Sequence, residues 1–285
     1  MAKSVLEKYC TNILDGKIVS CEKMKLLAEK MLKEINDDSG QWHFDIKWAN
    51  RPVEFIESYC KIPSGRLGKT LELEDYEVAL IQAAFGFVDD NEFRRFIEVL
   101  VVWARKNGKS VMASALELYM LIADLEGAPQ VYNIATSEKQ AELCYQHCIT
   151  MMRQSKEIAQ VVRKQHDRLY CDSTMGYIKT LSSNTQHLDG LDVHFAVIDE
   201  LAAIKNRDLY DLVKQGTSAR EQPMLFTITT NGFIRNGIFD AQYAYAKGVL
   251  DGSIKDERFL PFIYELDSRD EWLDEKAWKK ANPGL

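Results

Sequence analysis

Four continuous apolar runs, rich in β-branched residues, constrain the fold of this 285-residue chain more than any other feature. Such runs are typical of strands that are buried on both faces of a sheet. Helical segments separate the first two runs and follow the second, which predicts an α/β fold: a mostly parallel sheet flanked by helices. The runs are RFIEVLVVWA (95–104), QVYNIAT (130–136), DVHFAVID (192–199) and PMLFTITT (223–230).

The segments on either side of these runs have a different character. Apolar residues between Met24 and Ile35 recur at spacings near three and four, which predicts an amphipathic helix, and further helices are expected around 53–60 and 73–85. After Gly232 the pattern weakens into helical and acidic pieces. We therefore expect an N-terminal helical extension over 1–60, an α/β core over 61–232, and a small C-terminal lid or linker region over 233–285.

A phosphate-binding loop is indicated by ARKNGKS (104–110), which ends like the pattern G-x-x-x-x-G-K-[ST] but has Trp103 in place of the first glycine. The triplet Gly-Lys-[Ser/Thr] also occurs at Gly68–Thr70, after a segment without the character of a buried strand. The copy at Gly108–Ser110 directly follows the first apolar run and opens an apolar helix. Backbone N–H groups at such a junction bind phosphate, so its context favours this copy.

The loop residues have expected parts in binding ATP and Mg²⁺. Lys109 is expected to reach the β- and γ-phosphates, Ser110 to coordinate Mg²⁺, and Gly108 to allow close approach of the backbone. The other loop residues expected beside the phosphates are Arg105, Lys106 and Asn107. For Arg105 two interpretations stay open: stabilisation of transition-state charge, or general electrostatic support.

An acidic pair is predicted to complete the site. The run FAVIDE (195–200) would deliver Asp199 and Glu200 at the carboxyl end of a buried strand. There Asp199 would hold the Mg²⁺ and Glu200 would take a proton from an attacking water, which makes hydrolysis the predicted reaction. The alternative is a surface Asp-Glu pair at a strand end.

A third polar segment, TITTNG (227–232), closes the next strand. Ligands in open α/β sheets bind outside the carboxyl ends of the strands, so Thr229, Thr230 or Asn231 would sense the γ-phosphate and move when it leaves. A simple turn at Asn231–Gly232 explains the same residues without a function.

Composition and charge restrict the remaining possibilities. No apolar run approaches the length of about 20 residues that spans a bilayer, so no membrane segment is predicted. The net charge of −7 argues against a dominant nucleic-acid-binding surface but leaves DNA binding undecided. Cys144 and Cys148 would share a helix face with His147 nearby, and helix packing is favoured over metal binding there because no second ligand pair is visible.

Taken together, ARKNGKS, FAVIDELAA, TITTNG and the ending WKKANPGL resemble the large terminase subunit of tailed bacteriophages, the DNA-packaging motor protein. The resemblance covers essentially the whole chain. It implies a RecA-like ATPase of the additional-strand type, so that the P-loop ATPase core is the predicted region 61–232. It also implies ATP and Mg²⁺ as cofactors and a chain that drives double-stranded DNA into a procapsid. The large terminases also carry a C-terminal nuclease domain, which we expect to follow ANPGL and not to be part of these residues.

The resemblance also implies roles for single residues. Members of the family lack the first loop glycine, so Trp103 is not a defect. Arg105 matches a loop arginine that contacts the γ-phosphate, Glu200 matches the catalytic base, and Thr229–Asn231 match the motif that couples hydrolysis to movement. The adenine motif, Leu-x-x-Trp/Phe-Gln in the family, reads Leu73 to Glu77 here, so that Tyr76 would stack on the base while Glu77 replaces glutamine.

The implied partners are double-stranded DNA, the portal protein, the small terminase subunit and further copies of the chain in a ring, in the host cytoplasm and without a membrane. Three arginines are candidates to complete a neighbour's site: Arg163, Arg168 and Arg220. Two other interpretations stay open, a nucleic-acid-stimulated helicase or translocase and a nucleotide-binding scaffold without turnover. A helicase of that kind needs a second RecA-like domain, for which the roughly 55 residues after Gly232 are too few.

Overall fold

The computed structural model describes residues 3–37, 39–135, 138–182, 190–204, 207–231 and 237–285. Its α-helices are α1 (Val5–Leu14), α2 (Glu22–Ile35), α3 (Ile46–Tyr59), α4 (Asp75–Gly86), α5 (Lys109–Ile122), α6 (Glu138–Gln154), α7 (Lys156–Val161), α8 (Asp208–Gly216) and α9 (Ile238–Asp251). Its strands are β1 (His43–Phe44), β2 (Phe87–Val88), β3 (Glu98–Val102), β4 (Gln130–Ala135), β5 (Val162–Gln165), β6 (Arg168–Cys171), β7 (Tyr177–Ser182), β8 (Phe195–Asp199), β9 (Met224–Thr229) and β10 (Phe259–Ile263). Short 3₁₀ turns cover Leu201–Ala203, Thr217–Ala219, Arg269–Leu273 and Ala277–Lys280.

One sheet of eight strands organises the described residues, in the order β10-β3-β9-β8-β4-β7-β6-β5. The neighbours from β10 to β7 pair in parallel, whereas β6 runs antiparallel to both β7 and β5. All residues of β3, β8, β9 and β10 are buried, as expected for strands covered on both faces. The α/β fold with a mostly parallel sheet is confirmed.

The strand order brings the predicted motifs together at the carboxyl ends of neighbouring strands. The strand β9 lies between β3, which precedes the phosphate loop, and β8, which ends in the acidic pair. Val102 pairs with Thr229, and Asp199 pairs with Ile228, so the three strands end at the same level. Since parallel strands present their carboxyl ends on the same side, the loop, the acidic pair and TITTNG meet at this end of the strands.

The helices pack where their apolar faces predict. In α2 the buried residues Met24, Leu27 and Met31 form the expected apolar stripe, and this helix contacts α1, α9 and β10. The helix α4 is buried along nearly its whole length, between α1 and α3. None of the helices in these ranges is long and apolar enough to cross a membrane.

The region after residue 232 contributes more than the predicted lid. Its strand β10 pairs in parallel with β3 along its full length, from Phe259 with Glu98 to Ile263 with Val102. The boundary expected at Gly232 lies outside the described residues, and the sheet continues beyond it. Pro261 explains why the sequence pattern missed this strand, because proline is confined to edge strands and β10 is the edge of the sheet.

Candidate functional site

The phosphate loop has the backbone that anion binding requires. It connects β3 to α5, and Lys106 and Gly108 have φ values of 65° and 75°, in the left-handed region. A Cβ atom on Gly108 would lie 2.6 Å from Oε1 of Glu77, so both conformation and space demand glycine here. By contrast, the second Gly-Lys-Thr copy (68–70) follows α3 and not a buried strand, and its Gly68 and Lys69 are exposed.

Lys109 begins α5 and is buried under the loop. Its Nζ donates hydrogen bonds to the carbonyl oxygens of Trp103 and Ala104, both at 3.0 Å. Burial lowers its pKa, which the nearby Glu200 and Asp199 partly oppose. The ammonium group therefore lies within the loop and on the side that carries the acidic pair.

The two halves of the predicted site are in direct contact. Ser110 Oγ donates to Asp199 Oδ2 at 3.1 Å, and Cys144 Sγ lies 3.5 Å from the same oxygen. Burial raises the pKa of Asp199, and Glu200 raises it further. The carboxylate of Asp199 and the hydroxyl of Ser110 are oxygen ligands of the kind that a divalent cation such as Mg²⁺ prefers. The ammonium of Lys109 bonds to loop carbonyls and so does not occupy this position.

Glu200 and the TITTNG segment form the third part of the site. Glu200 has φ 56°, an uncommon conformation for a non-glycine residue, and its N–H donates to Ile228 O at 2.9 Å. Thr230 Oγ1 donates to Glu200 Oε2 at 3.2 Å. Thr229 is fully buried, and its hydroxyl accepts from Ala202 N and donates to Thr230 O. Asn231 is exposed.

Arg105 and Lys106 are exposed on the outer side of the loop. Within the described residues, the guanidinium of Arg105 forms no ion pair with a carboxylate. Asn107, by contrast, is buried. Its side-chain amide donates hydrogen bonds to Ala104 O within the loop and to Asn282 Oδ1 outside it.

Tyr76 and Glu77 lie beneath the loop at the start of α4. Tyr76 is 6% exposed, packs edge-on against Trp103 at 5.4 Å between centroids and donates to Asn107 O at 3.3 Å. Burial raises the pKa of Glu77 to about 7, and its carboxylate accepts from Glu74 N. In this arrangement Tyr76 supports the loop, and stacking on a base would need it to become exposed.

A cavity of about 830 Å³ lies beside the loop. It is lined by residues from both ends of the chain and from the loop: Lys23, Val102, Trp103, Ala104, Asn231, Tyr243, residues 264–270, Trp272 and Ala281. Its size suits a nucleoside-sized ligand. Tyr76 is not among the lining residues.

The three candidate in-trans arginines lie elsewhere. Arg220 donates hydrogen bonds to Asp192, to Glu126 and to the carbonyls of residues 127 and 128. These contacts lie at the amino ends of the parallel strands, opposite the loop. Arg163 pairs with Asp172 on the β5–β6 hairpin, and Arg168 lies over the ring of Tyr177. The contacts of Arg220 are structural, which argues against its proposed role.

Sequence reasoning missed a buried polar cluster behind Asp199. Glu117 on α5 is fully buried, and its Oε2 accepts from Asn133 Nδ2 at 2.9 Å and from Cys148 Sγ at 3.1 Å. Burial raises the pKa of Glu117 to about 8. The cysteines Cys144 and Cys148 thus pack as buried thiols against α5. In the sequence, Lys109, Ala113 and Glu117 follow one another at intervals of four residues, which places Glu117 on the same helix face as Lys109. This spacing could have indicated the cluster.

The strand–loop–helix, the added strand β9 and the acidic pair define a P-loop nucleoside triphosphatase. A family model, the terminase large subunit ATPase domain, matches residues 75–248. This match covers more than half of the chain. The chain therefore belongs to the terminase large subunit ATPase domain family, as its motifs predicted.

Individual proteins also resemble this chain. The large terminase subunit of Enterobacteria phage HK97 is 25% identical over 252 residues, which cover 83% of this chain and 46% of that protein. Protein YmfN of Escherichia coli (strain K12) is 34% identical over 98 residues, or 34% of this chain and 21% of YmfN. The crystal structure of the HK97 large terminase shares the fold, with a TM-score of 0.72 at 21% identity over 83% of this chain and 48% of that one. The chain thus spans less than half the length of these relatives.

Proposed function

We propose that this chain binds ATP with Mg²⁺ at the loop described above and hydrolyses it to drive double-stranded DNA into a procapsid. The observation that carries the proposal is the contact between Ser110 and Asp199 at the mouth of the loop, with Lys109 and Glu200 beside it. A phosphate loop and a metal-binding carboxylate that share one cleft are what ATP hydrolysis requires.

Residues of the loop would bind the triphosphate. The backbone N–H groups at the start of α5 would donate to the phosphates, and Lys109 would exchange its bonds to the carbonyls of Trp103 and Ala104 for the β- and γ-phosphates. Arg105 and Lys106 are exposed beside this position. Arg105 would neutralise charge that develops on the γ-phosphate.

Ser110 and Asp199 would hold the magnesium ion, whose charge would offset that of the phosphate oxygens. Asp199 is mostly buried and is fixed by its bonds to Ser110 and Cys144, so it needs little reorganisation to serve as a ligand.

Glu200 would act as the general base. It would accept a proton from a water molecule whose oxygen attacks the γ-phosphorus, while the bond from the γ-phosphorus to the bridging oxygen breaks to give ADP and phosphate. The hydroxyl of Thr230 donates to Glu200 and orients its carboxylate. Thr229, Thr230 and Asn231 would transmit the loss of phosphate to the rest of the chain.

The nucleoside would lie next to the loop. Tyr76 is retained as the proposed adenine contact by resemblance, and the cavity beside Trp103 and Ala104 offers space for the base and ribose. A nucleotide-bound structure distinguishes the two positions.

The proposed partners follow from the family. They are double-stranded DNA, the portal protein, the small terminase subunit and further copies of this chain in a ring on the procapsid, in the host cytoplasm. Strand-separation assays distinguish this function from that of a helicase, since a packaging motor translocates along intact duplex.

The Glu200→Gln variant tests the proposed chemistry. We expect ATP hydrolysis to fall by about 10²- to 10⁴-fold because the amide does not accept the proton, while ATP binding stays within about twofold. Hydrolysis is measured as phosphate release with and without duplex DNA, and binding is measured by titration with a fluorescent ATP analogue.

Lys109→Ala serves as the matched control, since it should weaken binding itself. If Glu200→Gln hydrolyses ATP at the wild-type rate, Glu200 is not the base. If the wild-type chain binds ATP but does not hydrolyse it with DNA and Mg²⁺ present, the scaffold interpretation is favoured.

A further inference from the structure

The segment 281–284 lies directly against the phosphate loop. Ala104 N donates to Ala281 O at 3.1 Å, Asn107 Nδ2 donates to Asn282 Oδ1 at 3.3 Å, and Gly284 N donates to Asn107 Oδ1 at 3.2 Å. We call residues 281–284 the strap. Three bonds to the loop from four consecutive residues form a continuous contact.

Asn107 is the centre of this contact. The N–H of Gly284 fixes the orientation of its amide, because only Oδ1 accepts. Its Nδ2 also lies within 3.1 Å of Ala104 O and 3.2 Å of Arg105 O, so the same side chain closes the loop on itself. The side chain is 8% exposed. The shape of the loop and the position of the strap therefore depend on one residue.

The strap is held firmly at its beginning. The preceding Lys280 forms ion pairs with Asp267 and Glu271 at 2.7 and 2.6 Å. Within the strap, Pro283 has a fixed φ and restricts Asn282 to extended conformations. A stiff segment with an anchored start positions what it touches better than a flexible one would.

The strap and Lys109 also share a residue. Ala104 donates its N–H to Ala281, and its carbonyl accepts from Lys109 Nζ. When Lys109 turns to a phosphate, the carbonyl of Ala104 keeps its bond from Asn107, and the N–H of Ala104 keeps its bond to the strap. The strap and Asn107 then fix the entrance of the loop.

We propose that the strap is a positioning element that holds the phosphate loop in the shape that binds triphosphate. This inference rests on the proposed ATP site. It assigns a role to residues that act through the loop and not on the reacting atoms, so Asn282 and Gly284 are positioning residues. Reciprocity of coupled equilibria requires that ATP in turn stabilise the strap.

Two substitutions test the strap by different means. Asn282→Ala removes the acceptor for Asn107, and Gly284→Ala adds a Cβ only 3.1 Å from both Asn107 Oδ1 and Tyr76 OH. Each should raise the KM and Kd for ATP about three- to tenfold with kcat within about twofold. A variant that merely unfolds in part would lower kcat and leave KM unchanged.

The chain offers a matched control for each variant. Asn36 donates to Leu32 O, four residues earlier, as Asn282 does to Trp278 O, so Asn36→Ala removes the same kind of bond away from the loop. Gly127→Ala adds a Cβ that meets nothing within 4 Å. Both should keep wild-type KM and Kd.

Hydrogen exchange supplies a second readout. In the wild-type chain, ATP with Mg²⁺ should slow amide exchange in the peptide that contains Gly284 and leave the peptide around Asn36 unchanged. Wild-type affinity for ATP in both strap variants would overturn this inference but not the proposed function. Unaltered amide exchange at Gly284 while ATP is bound would have the same meaning. A wild-type chain that does not bind ATP would overturn the proposed function and the inference with it.

Discussion

Glu77 is buried beneath the phosphate loop, and its burial has a measurable cost. It lies under Gly108 with little contact to water, and burial raises its pKa to about 7. Since the folded chain holds this proton more tightly than the unfolded chain does, raising the pH from about 4.5 through 7 favours unfolding. Above about pH 7 the contribution of protonated Glu77 to the free energy of unfolding is fully lost.

Glu77→Gln should therefore stabilise the protein at alkaline pH. The amide oxygen can still accept from Glu74 N, and no charge is buried. We expect a gain on the order of 2 kcal/mol at pH 8 and a small one at pH 5, measured by urea denaturation at both values. An equal gain at both values would show that the ionisation of Glu77 is not the cause.

At the level of single residues, the sequence predicted most of what meets at the site. Lys109, Ser110 and Asp199 were recognisable because a buried strand followed by Gly-Lys-Ser, and another ending in Asp-Glu, leave few alternatives. Their catalytic roles stay predictions. The contacts of Tyr76 were not predictable, since the packing of its ring on Trp103 depends on how α4 approaches the loop.

Among elements, the sequence identified strands by apolar runs and missed those without one. The strands β3, β4, β8 and β9 match the four predicted runs within a few residues. The hairpin β5–β6 has exposed, charged positions, and β10 contains Pro261, so neither has the pattern of a central strand. Edge strands are decided by pairing, which sequence periodicity does not report.

A buried ion pair links several of these elements at the amino end of the sheet. Arg94 donates to both carboxylate oxygens of Asp124, after α5, and to Gln222 O, just before β9. His194, just before β8, bonds to the same Asp124 at 2.7 Å. The network fixes the ends of three elements opposite the site.

Arg94→Ala should destabilise the protein by about 3–5 kcal/mol, because it leaves the carboxylate of Asp124 buried with His194 as its one remaining partner among the described residues. Thermal or urea denaturation measures the change. Arg163→Ala is the matched control: its pair with Asp172 is exposed, and its loss should cost less than about 1 kcal/mol. Similar costs for both variants would contradict the structural role of the network.

For the whole molecule, the proposed ATP site lies at the carboxyl ends of β3, β9 and β8, on the open side of the sheet. Arg105, Lys106 and Asn231 are exposed around it, so water has access from the outside. In the proposed ring, a neighbouring copy would cover this side. Exclusion of water and an added positive charge from that copy would both favour hydrolysis.

We therefore expect slow turnover by the isolated chain. Hydrolysis per chain should rise as copies assemble, measured on fractions whose oligomeric state is known from sedimentation. A demonstrated monomer that hydrolyses ATP faster than about 10 s⁻¹, the median for enzymes, would argue that no neighbour is needed.

The place of β3 between β10 and β9 has a consequence for biosynthesis. Its partner residues lie more than 120 positions later in β9 and about 160 positions later in β10. During translation, the strand that carries the phosphate loop emerges from the ribosome long before either neighbour exists. Non-local pairing of this kind slows folding and leaves an apolar segment unprotected in the meantime. The nascent polypeptide is thus most prone to aggregate after β3 has been made and before residue 263 is released.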